Sequence, residues 1–338
     1  MTDPGIRAAE KGQIAIERRI RKIYRKARDE IQQEIQKYNL RFMKNDAEMR
    51  AKVAEQVITE AEYQQWLKFT VFRGKEWDAK VQHCTDILTS ANRAALQVIR
   101  GEQIGVMAEN MSFQSYLLET GVNADLGFTV YSSEAVNNLL KNQPELLPRK
   151  VVNGAKDKAW NKNKIANEIT KSIIKGDGID KIADSLADVL AIQNDNAMRL
   201  YARTAMTSAQ NAGRMEMLHE AEDKGVKARK KWIASLDSRT RDAHAELDGE
   251  TAEVDEAFHT EEYGDIMYPG DPAAEPGNVY NCRCTLGYVI DGYSGGGQRR
   301  AYDEWTDADG QHHRQSYIIE DMSYKEWKEW KEHNGPQR

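Results

Sequence analysis

The sequence predicts an α+β protein, with a long, mainly helical N-terminal part followed by a small mixed α/β module that holds a short antiparallel sheet. Up to residue 225, apolar side chains recur at three- and four-residue spacing, which is typical of amphipathic helices. Between residues 230 and 290, turn residues and short apolar runs replace that pattern. We therefore expect a helical domain over residues 1–145, the module within residues 146–292, and a flexible linker with a C-terminal tail over residues 293–338.

The composition limits the class of protein. Of 338 residues, 40% are hydrophobic and 30% are charged, which allows a core but leaves many helices with a solvated face. A net charge of −6 gives no general attraction to nucleic acid, so any such contact requires a local basic patch. Three cysteines argue against a disulfide framework. We expect neither a signal peptide nor a membrane span, because both need a continuous apolar stretch that the sequence lacks.

The N-terminal part is predicted to be a series of helices joined by short breaks. Ser133 resembles the N-cap of a short helix, and Pro144 ends that helix. Small alanines between Asn194 and Asp223 favour close helix packing, and Gly225 is placed to stop that helix. Helical spacing predicts helices over residues 14–42, 46–65, 77–110, 134–141, 156–174, 179–189 and 194–223.

A run of basic residues lies in the first predicted helix, with no acidic residue inside it. Charge runs of this kind usually form a solvated helix face. The alternative is a surface that contacts DNA phosphates or an acidic protein partner. The seven residues are Arg18, Arg19, Arg21, Lys22, Arg25, Lys26 and Arg28.

Three strands are predicted in the module, over residues 230–235, 251–258 and 285–290. The segment Asp237–Thr240 is a predicted turn in which Asp237 caps a short helix that extends to Ala243. Asp248-Gly249 is a strong turn signal. We expect the first and last strands to be neighbours, with Trp232 beside Leu286.

A metal site is one interpretation of His244, Cys282 and Cys284, because imidazole and thiolate are ligands that suit zinc. Asp237, Asp248 or His259 is then the candidate fourth ligand. The alternative is that both cysteines are small buried residues and that His244 forms a local hydrogen bond.

Two enzyme interpretations also remain open. One is a cysteine nucleophile with His244 as base and Asp237 or Asn281 as the orienting group. The other is a nuclease-like site in which Arg239, Arg241 and His244 face a phosphate.

If the outer strands are neighbours, residues far apart in the sequence converge at one end of the sheet. We expect an ion pair that joins Arg239 or Arg283 to Asp237 or Asp248. The residues expected to converge are Asp237, Arg239, His244, Asn281, Cys282 and Cys284.

The order and spacing of these residues resemble the phage Mu F-like head-morphogenesis family of minor head proteins. The resemblance covers residues 165–290, including the lead-in Ala202-Arg203-Thr204 and Asn211-Ala212-Gly213. The structural motif that carries it comprises Trp232, Asp237, Arg239, Thr240, Asp248, Gly249, Phe258, Pro269-Gly270-Asp271, Asn281 and Arg283, with His244, Cys282 and Cys284 interspersed.

The resemblance implies a minor capsid protein of a tailed phage that is not an enzyme and has no catalytic residue. Such a protein is made in the host cytoplasm and built into the virion head. Its expected partners are the portal protein, the capsid or scaffolding protein, and packaged DNA. Its expected roles are head assembly and the packaging or ejection of DNA. The alternative function is a metal-dependent hydrolase or nuclease built on residues 230–290.

The C-terminal tail is predicted to dock on a partner or on the body of the protein. Ser294-Gly295-Gly296-Gly297 is typical of a flexible linker. Tyr324, Trp327 and Trp330 share helical spacing, which predicts a short amphipathic helix.

Overall fold

The computed structural model describes residues 3–72, 75–122, 126–148, 159–164, 179–290, 299–307 and 311–319. The chain forms two compact units, each assembled from separate stretches of sequence. The described residues of Met1–Ile16, Ile99–Arg149 and Leu200–Arg338 form the first unit. The second unit takes those of Glu17–Val98 and Lys150–Arg199.

The predicted fold class is confirmed: the N-terminal part is helical, and short antiparallel strands follow it. A 3₁₀ turn at Pro144–Leu146 follows the fourth helix, and residues 159–164 are helical. The helices α1 to α5 are Pro4–Ala54, Glu60–Phe72, Lys75–Val122, Ser133–Asn142 and Ile179–Asp223.

The predicted break between residues 42 and 46 is wrong, because α1 continues to Ala54. No glycine or proline interrupts its hydrogen bonds there. The chain turns instead at Gln56, whose φ is 58°. A capping box then starts α2: Thr59 N–H donates to Glu62 at 2.8 Å, and Glu62 N–H donates to the Thr59 hydroxyl at 3.2 Å.

Two other helices are longer than predicted. Helix α3 runs to Val122 and contains Gly101 and Gly105, because an exposed glycine weakens a helix without ending it. The helices predicted over residues 179–189 and 194–223 are one continuous helix, since nothing between them breaks the hydrogen-bond ladder. The residues predicted as a helix over 156–174 lie largely outside the described ranges.

At the start of α4, Ser132 rather than Ser133 is the N-cap, and its hydroxyl accepts from Ala135 N–H at 3.1 Å.

Each unit has its own core. In the second unit, Tyr24 of α1 is 2% exposed and its hydroxyl donates to Asn92 of α3 at 2.5 Å. In the first unit, the alanines of α5 that were expected to favour close packing are buried together with two larger residues, and Gly225 adopts a φ of 84° just after the helix ends. These buried residues are Ala202, Ala205, Ala209, Ala212, Met215 and Leu218.

In the described part of the chain, seven strands and two short helices follow α5. The main sheet has the order β2-β1-β5 and is antiparallel, while β3-β4 and β6-β7 are hairpins. Strands β1 to β7 are Ala228–Ile233, Thr251–Glu253, Phe258–Thr260, Gly264–Ile266, Thr285–Ile290, Arg299–Thr306 and His312–Ile319. The short helices are α6, Asp242–Glu246, and α7, Pro276–Val279.

The register of the main sheet confirms that Trp232 pairs with Leu286. The single strand predicted over residues 251–258 is wrong. A turn closed by Glu256 N–H donating to the Glu253 carbonyl separates β2 from β3, and the two strands join different sheets. The β6-β7 hairpin lies within the stretch predicted as linker and tail. The predicted docking helix with Tyr324 and Trp327 lies outside the described ranges.

None of the helices in the described ranges combines the length and apolarity that crossing a bilayer requires.

Candidate functional site

A polar stripe on α5 holds the end of the module in place. Thr204 accepts from Asn281 N–H at 3.2 Å, and the Thr207 hydroxyl donates to the Cys282 carbonyl at 2.6 Å. Asn211 donates to the Cys284 carbonyl at 3.1 Å and accepts from Leu286 N–H at 2.8 Å. Arg214 Nη1 donates to the Leu286 carbonyl at 3.2 Å. The stripe therefore binds backbone groups of Asn281, Cys282 and Cys284, and both backbone groups of Leu286 at the start of β5.

The segment after β1 is ordered around Asp237, which is 2% exposed. Its Oδ1 accepts from Arg239 N–H at 2.9 Å and from Arg283 Nη2 at 2.8 Å. The Thr240 hydroxyl donates to the Ser235 carbonyl. The predicted pair between Arg283 and Asp237 is present. The predicted helix cap is wrong, because Asp237 closes a side-chain turn and α6 begins only at Asp242.

The Asp248-Gly249 turn returns the chain from α6 to β2. Asp248 Oδ1 accepts from Ala234 N–H at 2.9 Å. Gly249 has a φ of 86°, which a residue with a Cβ rarely adopts, and its N–H donates to the Trp232 carbonyl at 2.9 Å. The turn fixes where α6 lies against β1.

The Trp232 side chain packs against α6. It is fully buried, and its ring centroid lies 5.2 Å from that of His244 and 5.3 Å from that of Phe258. Both pairs are edge-to-face, with interplanar angles of 74° and 75°. The indole therefore sets the position of the His244 ring.

The side chains of His244, Cys282 and Cys284 converge next to Trp232. Their ligand atoms lie within 4.8 Å of one another, and no residue of the three is more than 2% exposed. His244 Nδ1 is 3.6 Å from Cys282 Sγ and 3.7 Å from Cys284 Sγ. We call these three residues the His-Cys-Cys cluster.

Asn278 at the end of α7 holds the other side of the imidazole. Its Oδ1 lies 3.0 Å from His244 Nε2, and the Asn278 side chain is fully buried. Sequence reasoning missed Asn278, because asparagine in a turn is common and nothing nearby indicated a distant histidine.

The two thiols differ in acidity. A hydrogen bond with Cys284 lowers the pKa of Cys282 despite its burial. The same hydrogen bond, together with burial, raises the pKa of Cys284 well above its ordinary value. Cys282 is therefore the more acidic of the two thiols.

Other predicted members lie outside the cluster. Arg239 is exposed, and the turn uses its backbone N–H. His259 is also exposed and pairs with Asp265 at 2.7 Å. Asp237 and Asp248 are occupied by Arg283 and by the Ala234 N–H. None of the three predicted fourth ligands is part of the group formed by the two sulfur atoms and the imidazole.

The family model of Phage Mu protein F like protein matches residues 163–287. The chain is 31% identical to "Minor head protein GP7" of Bacillus phage SPP1 over 230 residues, which cover 66% of this chain and 68% of that protein. The chain belongs to the Phage Mu protein F like family. No solved structure matches it.

Two further relatives share part of this Mu F-like chain. "NAD(+)--arginine ADP-ribosyltransferase EFV" of Enterococcus faecalis is 29% identical, and the match covers 56% of this chain but 40% of that protein. An uncharacterised protein of Bacillus subtilis, YqbB, is 26% identical, and the match covers 55% of this chain and 59% of that protein. Since the chain spans less than half of the ADP-ribosyltransferase, the name of that protein does not assign its activity to the shared segment.

The basic run of the Mu F-like chain lies on α1 in the second unit. Six of its seven residues are exposed, and Arg28 is half-buried. Three form ion pairs: Arg21 with Glu17 at 3.8 Å, Lys26 with Glu30 at 3.7 Å and Arg28 with Asp29 at 3.0 Å. Three others, at helical spacing, hold no ion pair within the described ranges. We call these the basic stripe: Arg18, Lys22 and Arg25.

Proposed function

We propose that this protein is a minor head protein, built into the virion head of a tailed phage, where it acts in head assembly. The observation that carries the proposal is the 31% identity to a protein named as a minor head protein, over 68% of that protein. The family match includes the module whose turns and buried contacts are described above.

We infer further that the protein assembles at the portal vertex or against the inner capsid. A minor component must recognise a head protein present in the same compartment, and the portal, capsid and scaffolding proteins are the candidates. A role in the packaging or ejection of DNA follows if the protein lines the route of the DNA. Its synthesis in the host cytoplasm accompanies head assembly.

A structural role fits the module better than catalysis. Nucleophilic catalysis by Cys282 and His244 needs access for a substrate, but these residues are 2% and 1% exposed. A phosphate site needs Arg239, Arg241 and His244 to converge. Instead, Arg241 donates to the Tyr280 carbonyl and His244 is buried beside the two sulfur atoms. We therefore favour the structural role over the hydrolase or nuclease alternative.

Head preparations provide the test of the proposed function. Heads purified from an infection are washed at high salt, and their proteins are identified by mass spectrometry. We expect this chain to remain with the heads and an electron-microscopy map to place it at the portal vertex or inner capsid. Recovery of the chain only outside the particles contradicts the proposal.

The partner is tested separately by co-expression with the portal, capsid or scaffolding protein, one at a time. We expect retention by the portal protein or the capsid protein after affinity purification. Retention by scaffolding protein alone contradicts the portal or capsid location but leaves the head role intact.

The basic stripe supports a second candidate role, contact with packaged DNA. Arg18, Lys22 and Arg25 are exposed at a spacing that places them on one helix face, with no ion pair to neutralise them in the part of the chain that the structure describes. Arg19 and Lys26 line the same open groove as Lys22 and Arg25, which Asp29 and Glu30 also line. Local clustering of this kind favours phosphate binding although the whole chain is acidic.

Salt dependence distinguishes DNA contact from a solvated face. Each neutralised phosphate contributes about 0.9 to the slope of log affinity against log salt. We expect Arg18→Gln, Lys22→Gln and Arg25→Gln together to flatten that slope by about 2 to 3 in a duplex DNA titration. The control is Lys11→Gln, Lys52→Gln and Lys227→Gln, which removes the same charge from other exposed positions. Equal slopes in the two variants contradict DNA contact by the stripe.

A further inference from the structure

The His-Cys-Cys cluster has the dimensions of a metal-binding site. With Zn–S bonds of about 2.3 Å and a Zn–N bond of about 2.1 Å, a tetrahedral ion holds sulfur and nitrogen about 3.6 Å apart. The observed distances from His244 Nδ1 to the two sulfur atoms are 3.6 and 3.7 Å. Both nitrogen–sulfur distances therefore match those of a tetrahedral site, and all three donors lie within 4.8 Å of one another.

The imidazole is also oriented as a ligand. With the Nε2 proton donated to Asn278 Oδ1, the lone pair of Nδ1 points toward the sulfur atoms. Asn278 is itself fixed, since its backbone N–H donates to the Glu275 carbonyl at 2.8 Å. A metal-binding histidine usually donates its second ring N–H to an oxygen acceptor in this way, which fixes both tautomer and ring angle.

The backbone around the sulfur atoms is held from outside the cluster. Thr207 binds the Cys282 carbonyl, and Asn211 binds the Cys284 carbonyl. Cys284 N–H points toward Cys282 Sγ at 3.4 Å, a contact that stabilises a thiolate. The two cysteines are not joined to each other. Both sulfurs therefore remain available as ligands.

We propose that the module binds one Zn²⁺ ion through Sγ of Cys282, Sγ of Cys284 and Nδ1 of His244. Binding releases the protons of the two thiols and leaves the Nε2 proton donated to Asn278. Within the described ranges no fourth histidine, cysteine or carboxylate joins the group, so the remaining position takes a water molecule or another small donor. The ion joins α6 to the segment that enters β5, which makes it a structural clamp for the module.

Metal content is the primary test. The full chain is purified under reducing conditions without chelator, and zinc is measured by elemental analysis. We expect about one equivalent in the wild type and in Cys84→Ser, which changes a third buried cysteine in the second unit. We expect its loss in Cys282→Ser, Cys284→Ser and His244→Ala. Less than about a tenth of an equivalent in the folded wild type after zinc is supplied overturns the proposal.

A second measurement applies even if the ligand variants do not fold. Wild-type protein stripped of metal is titrated with Co²⁺, and thiolate-to-metal charge-transfer absorption is recorded. We expect saturation at one equivalent, and weaker binding at acidic pH because the ligands must lose protons. Absence of the thiolate band overturns the proposal.

Asn278 gives a specific prediction for the ligand geometry. Asn278→Ala removes the acceptor that holds the Nε2 proton, so we expect zinc affinity to fall by about 10- to 100-fold while the stoichiometry at saturation stays at one. Unchanged affinity in Asn278→Ala contradicts ligation through Nδ1. Neither outcome bears on the role in the phage head, which the head preparations test independently.

Discussion

Lys230 is a buried lysine at the centre of the main sheet. Its side chain is fully buried, and Nζ donates to the Val254 carbonyl at 3.0 Å and to the Met267 carbonyl at 2.9 Å. Nζ also lies 5.3 Å from the centre of the Phe258 ring. The lysine thereby joins β1 to the turn after β2 and to the segment after β4. Alternation along β1 places Lys230 on the same face as buried Trp232, a signal that sequence reasoning missed.

Burial lowers the pKa of Lys230 from 10.5 to about 8, an effect that the charges of Asp255, Asp271 and Glu256 partly offset. Between these two pKa values the unfolded chain binds more protons than the folded chain. The contribution of Lys230 to stability should therefore rise from about pH 8 to about pH 10.5, by about 3 kcal/mol. Below pH 8 the lysine is charged in both the folded and the unfolded chain, so it does not contribute to the pH dependence of stability.

We predict that Lys230→Met removes this contribution, so that its free energy of unfolding, measured by urea denaturation across that pH range, changes with pH less favourably than that of the wild type. Lys227→Met is the matched control, because Lys227 is an exposed lysine just before β1. The same slope in Lys230→Met as in the wild type would show that Lys230 is not its source.

At the scale of elements, the packing of α3 against α5 depends on a glycine. A Cβ built on Gly213 would lie 2.7 Å from the Met107 carbonyl oxygen and 3.3 Å from the side chains of Met107 and Met111. Because the nearest atom belongs to the backbone of a helix, it cannot turn aside as a flexible side chain would. The two helices therefore approach as closely as they do only because residue 213 has no side chain.

We predict that Gly213→Ala destabilises the protein by about 1 to 3 kcal/mol, since α3 and α5 must move apart. The matched control is Gly101→Ala in α3, where an added Cβ meets nothing within 4 Å. That change should stabilise the protein by about 0.5 to 1 kcal/mol, because alanine favours a helix over glycine. Denaturant midpoints measure both. If Gly213→Ala stabilises the protein, the close approach of α3 and α5 at this glycine is contradicted.

At the scale of the whole molecule, the first unit is closed by a contact between residues 211 positions apart. Asp3 precedes α1, and both its carboxylate oxygens accept from Arg214 Nη2 at 2.8 Å. Arg214 Nε also donates to Asn110 of α3 at 3.0 Å. The side chains of Arg214 and Asp3 are 2% and 5% exposed. Since Arg214 also holds β5, one buried guanidinium links the start of α1, α3, α5 and the sheet.

We predict that Asp3→Asn lowers stability by about 3 kcal/mol or more, because it leaves the buried Arg214 charge without its carboxylate. The control Asp29→Asn removes an exposed partner of Arg28 and should cost about 1 kcal/mol or less. Hydrogen exchange should show that Asp3→Asn weakens the protection of β5 amides as well as that of α1. A loss of hydrogen-exchange protection that is confined to the first turn of α1 argues against the linkage of α1 to β5 through Arg214.

The sequence by itself determined the helical character of the N-terminal part, the end of α5 at Gly225 and the neighbouring positions of Trp232 and Leu286. These features depend on local periodicity, on backbone conformations that favour glycine, and on the antiparallel pairing of short strands. The chemistry of His244, Cys282 and Cys284 also pointed to one cluster before its geometry was known.

Only the tertiary structure decided the rest. The roles of Asn278, Lys230 and Asp3 depend on contacts between residues distant in the sequence. A lone asparagine, lysine or aspartate has no periodic pattern that identifies its partner. Burial makes each partner obligatory, because a buried polar group without a hydrogen bond costs about 1 to 3 kcal/mol, and that requirement appears only once the chain has folded.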